Sequence, residues 1–256
     1  MALIEVERLS VTGRVADVSL ALEAGEVLGV IGPNGSGKSS LLKSLAGLLP
    51  CRGQVRFNAA PRGMRNLAEL PPETRARLIG YLPQSCASAW SLTVANIVAL
   101  GRLPWRDGES EQGQAAIRRA METMDVLHFA GRKIDRLSGG EQARVWLARV
   151  FAGAPRLILA DEPVASLDLR FQQGIMVALR RHADETRAGV DCGVILALHD
   201  LNLAARHCDR LCLMQNGVIR AFGPPEAVLA NPALPGIFGL PLRVDLRHDP
   251  PVVLPA

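Results

Sequence analysis

The sequence is poor in aromatic residues and in lysine. Phe, Trp and Tyr together make up 4% of the chain, and lysine occurs only at positions 38, 43 and 133. Few aromatic rings leave little material for stacking on nucleic acid bases. The net charge of +4 comes from arginines that are scattered among acidic residues, without a long basic run. We therefore expect no nucleic acid partner.

Long apolar runs and an export signal are also missing. Apolar stretches such as GVILAL at 193–198 are far shorter than the roughly 20 residues of a membrane-spanning helix. The N-terminal MALIEVERLS lacks the basic and apolar regions of a secretory signal peptide. We therefore predict that the chain does not cross a membrane and remains in the cytoplasm.

The five cysteines form no CxxC pair. Their odd number and irregular spacing argue against a disulfide framework and against a zinc site, and fit a reducing compartment. Cys208 and Cys212 lie near His207, which leaves a metal cluster as an alternative. Cys212, however, belongs to the alternating run LCLM, so we predict that it is a small buried residue.

The patterns along the chain predict an α/β core. Residues 2–31 predict an antiparallel ribbon that leads into the first core strand, and 216–217 (Asn-Gly) predict a type I′ hairpin turn. Residues 61–77 are predicted as a polar connection ending in a short helix. Further strands are predicted at 53–57, 156–160 and 193–198, and helices over 38–49, over 170–183 and from 201. The chain is predicted to be one domain, with a helical subdomain over about 85–150 and a Pro-rich tail over about 226–256.

A phosphate-binding loop is the strongest single motif. The residues GPNGSGKS from Gly32 to Ser39 satisfy the pattern G-x-x-x-x-G-K-[ST] between a predicted strand and a predicted helix. Glycine lets the backbone wrap closely around a phosphate chain, and the helix N-terminus favours an anion. We expect Lys38 to reach the β- and γ-phosphates and Ser39 to offer its hydroxyl to Mg²⁺. The alternative, a glycine-rich turn with an incidental lysine, leaves the flanking pattern unexplained.

Two carboxylates follow the predicted strand RLILA. Asp161 and Glu162 would emerge at the carboxyl end of a parallel strand, where open α/β sheets bind their ligands. We expect Asp161 to orient Mg²⁺ and Glu162 to act as the general base for a water that attacks the γ-phosphate. The alternative is a solvated acidic turn before Pro163, which the phosphate loop disfavours.

A second anion-binding helix N-terminus is predicted at LSGGEQ, residues 137–142. Ser138 and two glycines precede a helix there, but no lysine does. One nucleotide does not need two such cradles from a single chain. At these motifs the sequence resembles the ATP-binding cassette family, in which LSGGE binds the γ-phosphate of a nucleotide held by the phosphate loop of a second subunit.

The resemblance implies the family's fold, partners and site residues. The fold is a P-loop NTPase core with an N-terminal antiparallel β subdomain and an inserted helical subdomain, and two ATP molecules are sandwiched in a head-to-tail homodimer. Gln84 in YLPQ matches the glutamine that senses Mg²⁺, Ser166-Leu167-Asp168 matches the loop that contacts the other subunit, and His199 matches the histidine that contacts the γ-phosphate.

The expected site therefore has three groups of residues. The catalytic residues are Glu162, His199, Gln84 and Lys38, and the Mg²⁺ ligands are Ser39, Gln84 and Asp161. The ATP-binding residues are Gly32, Pro33, Asn34, Gly35, Ser36, Gly37, Lys38, Ser39, Ser40, Ser138, Gly139, Gly140, Glu141 and Asp168. One departure from the family is the segment LSVTGRVADVSL, which lacks the aromatic residue that usually stacks on adenine. Arg14 offers a guanidinium plane instead.

Segments outside the phosphate motifs resemble one group within the family. A single cassette without a membrane segment suggests the motor subunit of an importer. The segments RARLIGYLPQ, SLTVANIVALGRLPW, GIFGLPLRV and DPPVVLP resemble the ATPases of iron-siderophore, haem and vitamin B12 uptake. This resemblance implies a separate integral membrane permease, an indirect substrate-binding protein and a peripheral position on the cytoplasmic face of the inner membrane. The alternatives are a cassette ATPase without a permease, as in iron-sulfur cluster assembly, and an exporter motor.

Overall fold

An antiparallel sheet forms the N-terminal part of the structure. The computed structural model describes residues 1–59, 63–165, 167–185 and 191–256. The sheet has the order β2-β1-β4-β5, and its first two strands form the predicted antiparallel ribbon. Its strands are β1 (Ala2–Val11), β2 (Val15–Glu23), β4 (Arg52–Asn58) and β5 (Met64–Asn66).

The central sheet has the order β10-β9-β3-β8-β7-β6. All neighbouring strands are parallel except β9 and β10, which form the predicted hairpin. Asn216 and Gly217 connect that hairpin with positive φ angles of 51° and 78°, as a type I′ turn requires. The strands are β3 (Val27–Ile31), β6 (Ile79–Leu82), β7 (Leu157–Asp161), β8 (Gly193–Leu198), β9 (Arg210–Gln215) and β10 (Val218–Gly223).

Both faces of the central sheet are covered. Along β8, Leu196 packs into the core cluster that contains α5 and α6, whereas Ile195 packs into the cluster that contains α1 and the antiparallel sheet. This alternation explains why the central strands are apolar throughout. The helices up to β9 are α1 (Lys38–Leu45), α2 (Pro72–Leu78), α3 (Val94–Ala99), α4 (Glu111–Thr123), α5 (Gly139–Ala152), α6 (Leu169–Asp184) and α7 (Leu201–His207).

Helices α3, α4 and α5 lie between β6 and β7 in sequence and pack on one another. Arg102, which is 4% exposed, ties the turn after α3 to the end of α5. Its guanidinium donates hydrogen bonds to both carboxylate oxygens of Asp107 and to the carbonyl of Ala152 at 3.0 Å. The Arg102 hydrogen bonds hold the pKa of Asp107 below its usual value. The end of α5 is thereby held by the turn that follows α3.

The helix after the phosphate loop is shorter than the pattern predicted. A helix was expected over 38–49, but α1 ends at Leu45. Gly47 has a φ of 71°, and its N–H bonds the Ser44 carbonyl at 2.9 Å while the Leu48 N–H bonds the Lys43 carbonyl at 2.8 Å. This left-handed cap ends the helix, so Leu48 is 63% exposed.

The C-terminal tail, for which no fold was predicted, is structured. It contains α8 (Pro225–Leu229), α9 (Leu234–Phe238) and a hairpin of β11 (Leu242–Asp245) and β12 (Val252–Pro255). Each element is too short to show a periodic pattern, and packing on the main core stabilises such pieces. Within the described residues, the helices are all too short or too polar to cross a membrane.

Candidate nucleotide-binding site

The phosphate loop lies between the end of β3 and the start of α1. Gly32 has a φ of 148°, and a Cβ atom at this position would lie 2.2 Å from the Met214 carbonyl oxygen. Gly37 has a φ of 105°, and a Cβ there would lie 2.8 Å from the Arg14 carbonyl oxygen. Because only glycine fits both positions, the loop can pass close to β9 and to the turn after β1.

Lys38 is the first residue of α1 and is 5% exposed. Its ammonium group donates hydrogen bonds to the carbonyls of Gly32 at 2.8 Å and Pro33 at 3.1 Å. Burial lowers the pKa of Lys38, and the nearby carboxylates of Glu162 and Asp161 partly oppose that shift. The lysine therefore closes the loop from inside and holds a cation at the helix N-terminus.

A cavity of about 900 Å³ opens above the loop. Its size is within the range of small-molecule sites. Asn34, Ser36 and the other residues up to Ser40 form its floor, and Gln84 and Glu162 lie at one edge. Residues 13–16, which include Arg14, and the hairpin turn at 216–217 also line the cavity.

The hairpin turn at the cavity was not foreseen as part of the site. The Gly217 N–H bonds the Ser36 carbonyl at 2.9 Å, and the Gly217 carbonyl accepts from Ala16 N–H at 2.8 Å. A Cβ at Gly217 would lie 2.5 Å from the Arg14 carbonyl oxygen. The Asn-Gly pair predicts a turn, but only the tertiary structure shows that this turn supports the phosphate loop.

Ser39 and Asp161 meet beside the phosphate loop. The Ser39 hydroxyl donates to Asp161 Oδ1 at 3.0 Å, and Asp161 is 2% exposed. Burial raises the pKa of Asp161, although the Ser39 hydrogen bond partly opposes the shift. A buried carboxylate beside a hydroxyl is a donor set that suits Mg²⁺, so these two residues fit the ion.

Glu162 follows β7 in a left-handed conformation, with a φ of 54°. Non-glycine residues seldom adopt this conformation, and where they do it often belongs to a functional site. Gln84 Nε2 donates to Glu162 Oε2 at 2.7 Å, and His199 Nε2 contacts Glu162 Oε1. The structure thus brings together three predicted catalytic residues from three separate segments of the chain.

The second predicted cradle, Ser138 to Glu141, is built differently. The Glu141 carboxylate accepts from the Ser138 N–H at 2.7 Å and from the Ser138 hydroxyl at 2.8 Å, which completes a capping box. These hydrogen bonds lower the pKa of Glu141. A Cβ at Gly140 would lie 2.8 Å from the Phe171 ring, whereas Gly139 faces open space. The cradle is therefore fixed by contacts within its own chain.

The structure does not place this cradle on the phosphate-loop cavity. None of Ser138, Gly139, Gly140 and Glu141 is among the residues that line it. Gly139 instead lines a second cavity of about 330 Å³, which also borders Gln84 and Glu162.

Asp168 lies at the start of α6. Its carboxylate accepts from the Phe171 N–H at 3.0 Å and so caps the helix. The following residue, Leu169, is 83% exposed. Ser166, which belongs to the same predicted loop, lies outside the described residues. The described geometry therefore assigns Asp168 a helix cap and leaves its expected contact with a second subunit as a prediction.

Comparison with known proteins gives consistent matches. The ABC transporter family matches residues 15–165. The hemin import ATP-binding protein HmuV of Streptomyces coelicolor is 42% identical over 229 residues, covering 89% of this chain and 78% of that protein. HmuV of Pseudomonas aeruginosa is 41% identical over 256 residues, covering 96% of each.

Solved structures show the same fold. The ADP conformation of an ATP-binding cassette of an ABC transporter has a TM-score of 0.77 at 25% identity, covering 93% of this chain and 98% of that chain. A metal-chelate type ABC transporter in an inward-facing conformation has a TM-score of 0.80 at 24% identity, covering 100% of this chain and 97% of that chain.

This chain belongs to the ABC transporter family. It is the ATP-binding component and an ATPase. The family resemblance, the fold class and the enzyme class expected from the sequence are confirmed.

Proposed function

We propose that this ATPase drives the uptake of haem, or of a related iron-siderophore or cobalamin cargo, through a separate membrane permease. The observation that carries the chemical part of this proposal is the position of Glu162. It lies at the edge of the phosphate-loop cavity, where Gln84 and His199 hold its carboxylate from two sides.

ATP would bind with its phosphates on the loop. The α1 N-terminus has no side-chain cap, so its backbone N–H groups are available to phosphate oxygens. Lys38 already lies at this end of the helix, and its ammonium would exchange the two loop carbonyls for the β- and γ-phosphates. Arg14 lines the cavity edge beyond the loop, where its guanidinium plane would stack on the adenine ring.

Glu162 would act as the general base. Its carboxylate is fixed by the Gln84 amide and the His199 imidazole, so it is already oriented to accept a proton from the water molecule that attacks the γ-phosphate. His199 has a side chain that is 41% exposed and would turn toward the γ-phosphate when ATP is bound. Gln84 would couple the state of the phosphates to the position of the helical segment that follows it.

Ser39, Asp161 and Gln84 would hold Mg²⁺. The Ser39 hydroxyl and the buried Asp161 carboxylate are hydrogen-bonded beside the loop, and Gln84 lies at the edge of the same cavity. When bound, the ion would neutralise charge on the phosphate oxygens and so make the γ-phosphorus more open to attack. The same ion would also offset the unfavourable burial of the Asp161 charge.

Two copies of the chain would form a head-to-tail homodimer. Ser138 to Glu141 form a helix N-terminus that does not line the chain's own phosphate-loop cavity. The nucleotide that contacts this helix N-terminus would therefore be held by the phosphate loop of another subunit. Exposed Leu169 and the neighbouring Asp168 would lie in that interface. Closure with ATP and opening after hydrolysis would then move the attached permease.

The cargo and location are inferred from the relatives. HmuV proteins of two bacteria are hemin import ATP-binding proteins and match almost the whole chain. We accordingly place this chain on the cytoplasmic face of the cell membrane, bound to an integral permease that receives cargo from a substrate-binding protein. The alternative of a cassette ATPase without a permease has no specific support in the described residues.

Co-purification from detergent-solubilised membranes tests this function. The tagged chain should recover a polytopic membrane protein in a one-to-one ratio, and vesicles containing that complex should take up hemin only with ATP and Mg²⁺. Glu162→Gln is the matched control, since it should retain the complex and lose uptake. Recovery with soluble partners alone would contradict the importer function and leave the ATPase class intact.

A further inference from the structure

The C-terminal hairpin is attached to the helix that follows His199. A two-stranded sheet is at best marginally stable alone, and among the described strands β11 and β12 pair only with each other. Val253 of β12 is 6% exposed and belongs to the main core cluster, with Val244 of β11 packed against it. The hairpin is therefore stabilised by its contact with the rest of the protein.

Asn202 makes the polar part of that contact. Its Nδ2 donates to the Val253 carbonyl at 2.9 Å, and its Oδ1 accepts from the Val253 N–H at 2.7 Å. The amide thus pairs with β12 as the backbone of another strand would. An apolar side chain supplies neither group, and a carboxylate cannot donate to the carbonyl.

This contact lies next to His199, the proposed catalytic histidine. Asn202 is the second residue of α7, and its backbone N–H bonds the Asp200 side chain that caps the helix, at 2.8 Å. His199 directly precedes that cap and contacts Glu162. A change in the position of the first turn of α7 would therefore be transmitted to the imidazole through two residues of backbone.

We propose that Asn202 is a positioning residue for ATP hydrolysis. By fastening the C-terminal hairpin to α7, it fixes His199 against Glu162. This inference rests on the roles proposed above for those two residues. The tail then contributes to turnover without touching the nucleotide, and a partner that displaced the hairpin would slow the ATPase.

Asn202→Leu in the full chain tests the proposal. We expect kcat for ATP hydrolysis to fall about tenfold, since small displacements of catalytic groups have effects of this order or larger. ATP affinity should stay within about twofold, because Asn202 lies away from the phosphate loop. Trypsin should cleave faster after Arg243 and Arg247, which would show that the hairpin is released.

A double-mutant cycle separates positioning from general destabilisation. In a His199→Ala background, Asn202→Leu should lower kcat no further. Arg206→Ala, on an exposed part of the same helix, is the control and should leave both kcat and tryptic cleavage after Arg243 and Arg247 unchanged. If Asn202→Leu does not fold, Val253→Pro tests the contact from the tail, because the Val253 N–H faces Asn202 rather than β11.

Two results would overturn the inference. Wild-type kcat with faster tryptic cleavage would show that hairpin release does not reach the site. An equal loss of kcat with and without His199 would show a structural effect only. Wild-type activity of His199→Ala itself would instead refute the role proposed for His199, and with it the premise of this inference.

Discussion

The chain contains two glycine-rich helix N-termini that look alike in sequence and differ in structure. At α1, the helix cap is Gly37 in a left-handed conformation, without any side-chain hydrogen bond. At α5, the cap is Ser138, and Glu141 of the same helix completes a capping box with it. The backbone N–H groups at the first terminus stay available to a ligand, whereas some of those at the second already donate to the side chains of Ser138 and Glu141.

Their surroundings differ as well. The α1 terminus holds the buried cation of Lys38 and opens into a large cavity that also contains Glu162. The α5 terminus has no lysine and does not line that cavity. The comparison supports the proposal that the phosphate loop is a nearly complete binding site and that Ser138 to Glu141 would provide half of a site completed by another chain.

The largest expected effect is on Glu162, the proposed general base beside the first terminus. Glu162→Gln should lower kcat for ATP hydrolysis about a thousandfold, since it removes the general base. ATP binding should be retained, because the amide can still pair with Gln84, and size-exclusion chromatography with ATP should show a stable dimer. Turnover at the wild-type rate would refute the assignment of the base.

The next effect is on the cation of the first terminus. Lys38→Ala should weaken ATP binding by about 30-fold or more in equilibrium titration, since it removes a charge-assisted contact to phosphate. Lys43→Ala, in the last turn of the same helix, is the control and should bind ATP normally. Equal losses in both variants would indicate that overall charge, rather than the position of Lys38, governs binding.

A smaller effect concerns stability without nucleotide. Because burial raises the pKa of Asp161, its folded form binds a proton more tightly than its unfolded form, and stability is lost as pH rises through that raised pKa. Asp161→Asn should therefore raise the melting temperature at neutral pH by roughly 2–4 °C, with little gain near pH 4.

Asp107→Asn should change the melting temperature in the opposite direction. Arg102 lowers the pKa of Asp107, so its contribution to stability is present at neutral pH and is lost on acidification. This substitution should lower the melting temperature at neutral pH. A lower melting temperature for Asp161→Asn would contradict the view that the buried carboxylate is costly until a cation binds.

The smallest effect is at the second terminus. Glu141→Ala should lower the melting temperature by roughly 2 °C at neutral pH, since it removes half of a capping box. The hydrogen bonds from Ser138 lower the Glu141 pKa, so the difference from wild type should shrink as pH falls below the usual glutamate value and disappear below the lowered pKa. A difference that persists in acid would exclude the carboxylate as its source.

Local patterns predicted the parts of the site that lie within one segment. The phosphate loop and the pair Asp161-Glu162 follow from strand, turn and helix signals over a few residues. The contact between His199 and Glu162 joins the ends of separate strands and was not predicted; the family resemblance indicated only that His199 contacts the γ-phosphate. The support of the loop by Gly217 depends on tertiary packing, which local patterns do not encode. The left-handed cap at Gly47 that ends α1 is a local glycine signal, which the apolar spacing over 38–49 did not take into account.

The central claim is that one subunit's phosphate loop works with another subunit's second terminus. Its most direct test is to mix Lys38→Ala subunits with Ser138→Arg subunits, each inactive alone, and to measure ATP hydrolysis. A mixed dimer has one composite site with intact Lys38 and intact Ser138, so we predict that mixing restores activity. If both partners stay inactive at every ratio while still forming mixed dimers, each site uses residues of one chain only, and the account is wrong.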